Sequence, residues 1–120
     1  MKKINVLVTE PLEFGIMVQK VEIGDYKDYY KLGGFENFDV VRVEWDGHEI
    51  SLYVDDEGLL KSGNFGREVV GYPEPLFGTI IVTGGVDTKG NTLSIPEEIN
   101  ILDIPKYISD VKYVIGQGEE

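Results

Sequence analysis

The sequence predicts an α+β protein built on a mainly antiparallel sheet of about five strands. Apolar and polar residues alternate in several short runs, an Asp46-Gly47 pair separates two of these runs, and helix-start patterns occur elsewhere. A short helix is expected after the second strand, and a C-terminal helical segment is expected on one face of the sheet. The chain has 120 residues, so we expect a single domain over residues 1–116 and a disordered tail over residues 117–120.

The first elements follow from apolar spacing. Residues 4–9 alternate as a strand does and stop at Glu10-Pro11, and residues 17–23 predict a second strand in the same way. Asp25 suits the N-cap of a short helix over residues 26–32. Three tyrosines share one face of this helix, which favours packing, although exposed hydroxyls there would suit a protein-binding edge. They are Tyr26, Tyr29 and Tyr30.

A β-hairpin is expected over residues 38–55. Asp46-Gly47 suits a type I′ turn, because both turn positions need positive φ. The register that follows gives the hairpin an apolar core face and a mostly polar, half-solvated face. The core face carries Val41, Val43, Trp45, His48, Ile50 and Leu52. The polar face carries Val40, Arg42, Glu44, Glu49, Ser51 and Tyr53.

Beyond the hairpin, Asp55-Asp56-Glu57-Gly58 predicts a turn and residues 59–72 an irregular, glycine-rich stretch. Gly78 to Thr83 is the most apolar short run and predicts a central strand. Ser94 begins one helix-start pattern, and Asp103 begins a second helix that runs to about Tyr113. The predicted core contains Val6, Val21, Val43, Trp45, Ile50, Leu52, Ile80, Val82, Ile108 and Val111.

Charge and cysteine content exclude several classes of function. The formal net charge is −11, from 22 acidic and 11 basic residues, so free nucleic acid is excluded as an expected partner. This charge favours simple solubility over a decoy that imitates nucleic-acid phosphates. There is no cysteine, which excludes disulfides and thiolate chemistry. No apolar run approaches the roughly 18 residues of a membrane helix, and a cytoplasmic protein without membrane contact is expected.

No set of catalytic groups stands out, and we expect a protein that is not an enzyme. His48 is the only histidine, and its expected role is a contact with Trp45 across the hairpin. Glu44 and Glu49 are expected to face each other on the exposed side, where repulsion is relieved by solvent or by Arg42. A carboxylate-based enzyme stays as an alternative, using one of two pairs. These pairs are Glu44 with Glu49, and Asp55 with Glu57.

Metal and cofactor motifs are incomplete, so neither is expected. The acidic turn that ends at Gly58 lacks the spacing of a calcium loop. The glycines at 63–66 and at 84–85 do not match a phosphate-binding motif. Arg67 is the residue of most interest, because it could hold a carboxylate or a phosphate. A structural salt bridge to Asp56 or Glu57 is the favoured alternative.

The chain resembles the family catalogued as domain of unknown function 3846, small proteins of phages and mobile elements of Gram-positive bacteria. Asp55-Asp56-Glu57-Gly58 is similar to its Asn-Glu-Glu-Gly turn, and Gly78 to Val82 to its Gly-Thr-apolar strand. Ser94 to Glu98 loosely follows its Ser-Leu-Thr-acidic helix start. The Asn-Arg pair is half met, because Arg67 follows Gly66 and Asn64 is displaced. The resemblance covers roughly the first hundred residues and implies a genomic setting, not an activity.

The resulting expectation is a small acidic accessory protein that binds a host protein without catalysis. A monomer or a homodimer through a sheet edge is expected. The main alternative is a binding protein for a nucleotide-like anion that uses the loop from Asn64 to Arg67. The candidate binding residues are Asp56, Glu57, Asn64 and Arg67.

Overall fold

The computed structural model describes residues 3–11, 16–57, 65–109 and 111–114, and within these ranges the chain forms two antiparallel sheets and two short helices. In chain order the elements are β1 (Ile4–Pro11), β2 (Ile16–Ile23), α1 (Lys27–Gly33), β3 (Phe38–Trp45), β4 (His48–Asp55), β5 (Phe65–Val69), β6 (Tyr72–Phe77), β7 (Ile80–Gly84), α2 (Ile104–Tyr107) and β8 (Tyr113–Val114). A 3-10 turn, Ile101–Asp103, leads directly into α2. The predicted tail over residues 117–120 lies outside the described residues.

The larger sheet consists of the five strands predicted from the sequence, in the order β2-β1-β7-β4-β3. The apolar run Ile80–Gly84 forms the central strand as predicted, and all five of its residues are buried. It pairs with β1 on one side and with β4 on the other. The α+β class with a mainly antiparallel sheet is therefore confirmed.

The predicted hairpin is confirmed together with its register. Trp45 pairs with His48 and Val41 pairs with Leu52. The turn residues Asp46 and Gly47 have φ values of 53° and 83°, the left-handed conformation that a type I′ turn requires at both positions. Local turn chemistry thus decides which residues of β3 and β4 point to each side.

The larger sheet is covered on both faces, and the predicted half-solvated face is wrong in part. Tyr53 and Ser51 were expected on that face and are buried. α1 covers this end of the sheet, where Tyr29 stacks on Tyr53 and packs in one cluster with Phe35. Of the ten predicted core residues, eight are buried and two, Val21 and Val111, are half-buried.

The second sheet occupies a region that the sequence suggested was irregular. β5 and β6 form a hairpin with a register shift between Arg67 and Val69, and β8 pairs with the other side of β5. Pro73 and Pro75 are compatible with this arrangement because β6 is an outer strand, where a missing N–H breaks no ladder bond. Trp45 of the larger sheet stacks on Tyr107 of α2 at 4.6 Å between ring centroids, and its Nε1 donates to the Val70 carbonyl, between β5 and β6, at 2.8 Å.

The two C-terminal helix predictions are also corrected. The segment that begins at Ser94 does not form the predicted helix. It runs along the N-terminal end of β1, where Ile95 N donates to Asn5 O at 2.9 Å. The second helix ends at Tyr107 instead of Tyr113. The backbone N–H groups of Ser109 and Lys112 donate to β5, each at 2.9 Å. Strand pairing therefore replaces the helical hydrogen bonds that the apolar spacing suggested.

We expect Gly84→Ala to lower the free energy of unfolding by about 1–3 kcal/mol. A Cβ at this position would collide with the Ser94 carbonyl oxygen, which is backbone and cannot rotate away. Urea unfolding followed by Trp45 fluorescence measures the loss. Gly24→Ala is the matched control, because its nearest atom would be Lys3 Cγ at 3.6 Å. Equal stability of the two variants would contradict the expectation.

Candidate functional site

Arg67 lies at the seam between the two sheets, not in an open loop. Its side chain extends from β5 and is 0% exposed. Nη2 donates to the Thr9 carbonyl at 3.1 Å, to Thr9 Oγ1 at 3.0 Å and to the Gly78 carbonyl at 3.2 Å. The guanidinium thus connects the smaller sheet to Thr9, near the end of β1, and to Gly78, two residues before β7 begins.

The expected salt bridge from Arg67 to Asp56 or Glu57 is wrong. The hydrogen-bond acceptors of the guanidinium are the carbonyl and hydroxyl oxygens described above, and Asp56 is exposed. The N–H of Glu57 donates to Asp55 Oδ1 at 2.9 Å, a local turn contact. Asn64 and Gly58 lie outside the described residues. The structure therefore does not gather Asp56, Glu57 and Arg67 into one site.

The electrostatic setting of Arg67 is unusual for a buried charge. Burial lowers the pKa of Arg67 to about 10, which leaves the guanidinium ionised at pH 7. Nε and Nη1 are buried and have no hydrogen-bond partner. A buried donor without a partner costs free energy, so these two groups make the burial of the guanidinium less favourable.

The two acid pairs are placed differently. Glu44 and Glu49 face each other across the hairpin, as predicted, and both are exposed in an open groove together with Arg42. Asp55 and Glu57 are half-buried at the end of β4. Among the described residues no group of three or more acidic or histidine side chains is arranged to hold a metal ion.

A surface feature that the sequence reasoning missed lies just before α2. Leu102 is 85% exposed and Ile101 is 39% exposed, and we call these two residues the apolar turn. A capping box fixes their backbone: Leu102 N donates to Asn100 Oδ1 at 2.9 Å, and Asn100 N donates to Asp103 Oδ2 at 3.1 Å. The spacing Asn-x-x-Asp around two apolar residues is the signal that would have found it.

The apolar turn borders a groove of about 430 Å³ on the same side of the larger sheet. Pro96 and Ile99 contribute apolar walls, and Lys20 and Glu97 are also part of its lining. The backbone N–H of Asn100 and the nearby Lys106 ammonium lower the pKa of Asp103, whose Oδ1 lies 3.4 Å from Lys106 Nζ. Apolar walls with a few charged groups suit binding, and they supply no pair of reacting groups.

We expect Arg67→Lys to destabilise the protein by about 1–3 kcal/mol, because the shorter lysine side chain does not carry its ammonium group to the position of Nη2, from which all three hydrogen bonds are donated. Arg67→Met is expected to cost no more than Arg67→Lys, since methionine leaves no buried charge to desolvate. Urea unfolding followed by Trp45 fluorescence measures both. Arg42→Lys is the matched control on the exposed arginine and should change stability by less than about 0.5 kcal/mol. An unchanged Arg67→Lys protein would contradict the structural role.

No helix among the described residues is long and apolar enough to cross a membrane. Neither the curated proteins nor the solved structures gave a match to this chain. A family model described as "Domain of unknown function (DUF3846)" matches residues 2–110. This match spans most of the 120 residues. The chain therefore belongs to the DUF3846 family, whose function is unknown.

Proposed function

We propose that this protein is a non-catalytic accessory protein that binds a host protein in the cytoplasm, and that it comes from a phage or mobile element of Gram-positive bacteria. The observation that carries the binding role is the 85% exposure of Leu102 on a turn that a capping box holds in place. An apolar side chain that is both exposed and fixed loses little conformational entropy when a partner covers it.

The chemistry of the surrounding segment favours one kind of partner. Glu97, Glu98 and Asp103 lie within residues 94–103, a stretch without lysine or arginine. Glu97 and Glu98 are exposed and give the apolar turn an acidic rim. The charge of Asp103 is offset by Lys106, whose Nζ lies 3.4 Å from Asp103 Oδ1. A protein with an apolar pocket bordered by lysine or arginine is the complementary partner, since a polar rim around an apolar centre is the usual pattern of protein interfaces.

The state of assembly is part of the same proposal. β2 and β3 are the outer strands of the larger sheet, and a homodimer would form by pairing one of these edges. Charged side chains occur along both, Lys20 and Glu22 on β2 and Arg42 and Glu44 on β3. Charges of this kind oppose edge pairing, so we favour the monomer. Light scattering after size exclusion distinguishes the two states.

We expect Leu102→Gln to reduce partner binding by about tenfold or more, because covering an exposed leucine contributes roughly 1.5–3 kcal/mol. The tagged protein is used to capture partners from a lysate of the host bacterium at low and at high salt, with identification by mass spectrometry. The captured protein is then purified and its affinity is measured for each variant. The affinity should fall as salt rises, because the acidic rim contributes to binding.

Val70→Thr is the matched control, since Val70 is 51% exposed on the turn between β5 and β6. This variant should bind the partner as the unchanged protein does. A partner that binds the Leu102→Gln protein with full affinity would contradict the proposed surface. Retention of no protein under either salt condition would contradict the proposed function itself.

A second candidate function is the binding of a nucleotide-like anion by the unpartnered Nε and Nη1 of Arg67, and because this side chain is 0% exposed, an anion would reach it only if the seam between the two sheets opened. Titration with inorganic phosphate and with adenosine monophosphate, followed by calorimetry, tests it. Binding should be lost in Arg67→Met and kept in Arg42→Met, which removes the same charge from an exposed site. This candidate fails if neither anion binds, or if the Arg67→Met protein binds as well as the unchanged one.

A further inference from the structure

A second groove, of about 750 Å³, lies on the opposite face of the larger sheet from the apolar turn. It runs between the start of α1 and the segment 87–94, and four aromatic rings contribute to its lining. These rings belong to Tyr26, Tyr29, Phe38 and Tyr53. We call this feature the aromatic groove. Its volume falls in the range of roughly 300–1,000 Å³ that is usual for small-molecule sites.

The floor of the aromatic groove is held rigidly. Tyr29 and Tyr53 stack with 3.9 Å between centroids and 5° between ring planes, and Phe38 packs against both. The hydroxyl groups of Tyr53 and Thr92 form a hydrogen bond of 2.9 Å, which joins the sheet to the far wall. Burial raises the pKa of Tyr29 well above its usual value, so this ring stays a neutral phenol. A ligand would meet a floor that is already assembled.

Three of the residues that line the groove are exposed and apolar or aromatic. Tyr26 is 57% exposed, Leu93 is 45% exposed and Val40 is 43% exposed. Tyr26 packs edge to face against Tyr30, with 6.5 Å between centroids, and this contact leaves much of its ring open to solvent. Aromatic faces carry partial negative charge, and they attract cations as well as apolar groups.

Asp87 supplies a fixed negative charge to the same lining. Its Oδ1 accepts hydrogen bonds from the backbone N–H groups of Lys89 and Asn91, both at 2.9 Å. The bond from Asn91 lowers the pKa of Asp87, because these N–H donors stabilise the charged form of the carboxylate. Oδ2 has a contact of 3.4 Å with Asn91 Nδ2, a long distance that leaves acceptor capacity for a ligand.

We propose that the aromatic groove binds a small organic cation that has an aromatic or aliphatic body, with its ammonium group beside Asp87. The groove floor and Val40 receive the body, and the Asp87 carboxylate and the exposed ring of Tyr26 receive the charge. Lys3 is the cation in the groove lining, and its Nζ lies 4.0 Å from the Glu22 carboxylate, which offsets its charge. The net charge of −11 disfavours an anion at the same place.

Three probes of nearly equal shape separate the contribution of charge from that of the ring. They are 2-phenylethylammonium, 2-phenylethanol and 3-phenylpropanoate, each titrated into the full chain and followed by NMR of the backbone amides. The cation should bind at least about tenfold more tightly than the alcohol, and the carboxylate should bind most weakly. The shifts should concentrate at Asn91 and Thr92. Binding of no probe, or equal affinity for cation and alcohol, would overturn the proposal.

Asp87→Asn tests the carboxylate directly. An asparagine oxygen can still accept the backbone N–H bonds of this loop, so the fold of the segment should persist and the preference for the cation over the alcohol should disappear. Glu74→Gln is the matched control, since Glu74 is an exposed acid on β6 and its neutralisation should leave that preference unchanged. An Asp87→Asn protein that keeps the full preference would overturn the assignment. This site lies on the other face from the apolar turn, so the result is independent of partner capture.

Discussion

Burial of the central strand on both of its faces is the constraint on which the rest of this structure depends. Ile80 and Val82 of β7 belong to one apolar cluster, and Ile81 belongs to another on the opposite face. Because β1 and β4 hydrogen-bond to its two edges, neither edge of the strand is exposed to solvent. The chain must therefore supply a cover for each face. α1 packs within one cluster, and side chains of the smaller sheet and of α2 pack within the other.

The buried guanidinium of Arg67 follows from the same arrangement. The smaller sheet approaches the larger one near the start of β7, where strand ends leave carbonyl oxygens to be satisfied. Thr9 Oγ1 donates to the Ile80 carbonyl at 3.0 Å, and Arg67 donates to Thr9 and to Gly78. The side chain of Arg67 thereby links β5 to the end of β1 and to the residues just before β7. The desolvation of the charge is the cost of that connection, and it lowers the pKa of the group.

Local chemistry made the larger sheet predictable. Asp46-Gly47 favours a tight turn through its own backbone preferences. A short, continuous apolar run such as Gly78 to Thr83 is typical of a strand that is buried in the middle of a sheet. The smaller sheet offers no such signal. Glycines and two prolines interrupt residues 63–78, and only its position as the outer strand of a sheet makes β6 acceptable there.

Tertiary contacts decide the features that the sequence left open. Ile104, Tyr107 and Ile108 have helical spacing, but the backbone beyond them pairs with β5 instead. The burial of Arg67 could not be inferred because arginine is rarely fully buried. The sequence shows that Leu102 is apolar, but it does not show that this side chain is left uncovered by the described elements. Exposure could not be predicted from sequence either: Asp56 is exposed, Glu57 is half-buried and Arg67 is buried.

The apolar turn and the aromatic groove lie on opposite faces of the larger sheet, and both are proposed to attract positive charge. Acidic residues close to each surface must account for this preference. Charges on the protein surface are screened beyond about 8 Å at physiological ionic strength. The net charge of −11 therefore raises the encounter rate with cations in general and does not select a site. Selection comes from carboxylates fixed beside apolar groups: Asp87 at the aromatic groove, and Asp103 at the apolar turn, where Lys106 offsets part of its charge. In both cases backbone N–H groups hold the carboxylate and lower its pKa. The same contacts that order each loop therefore fix the position of its carboxylate.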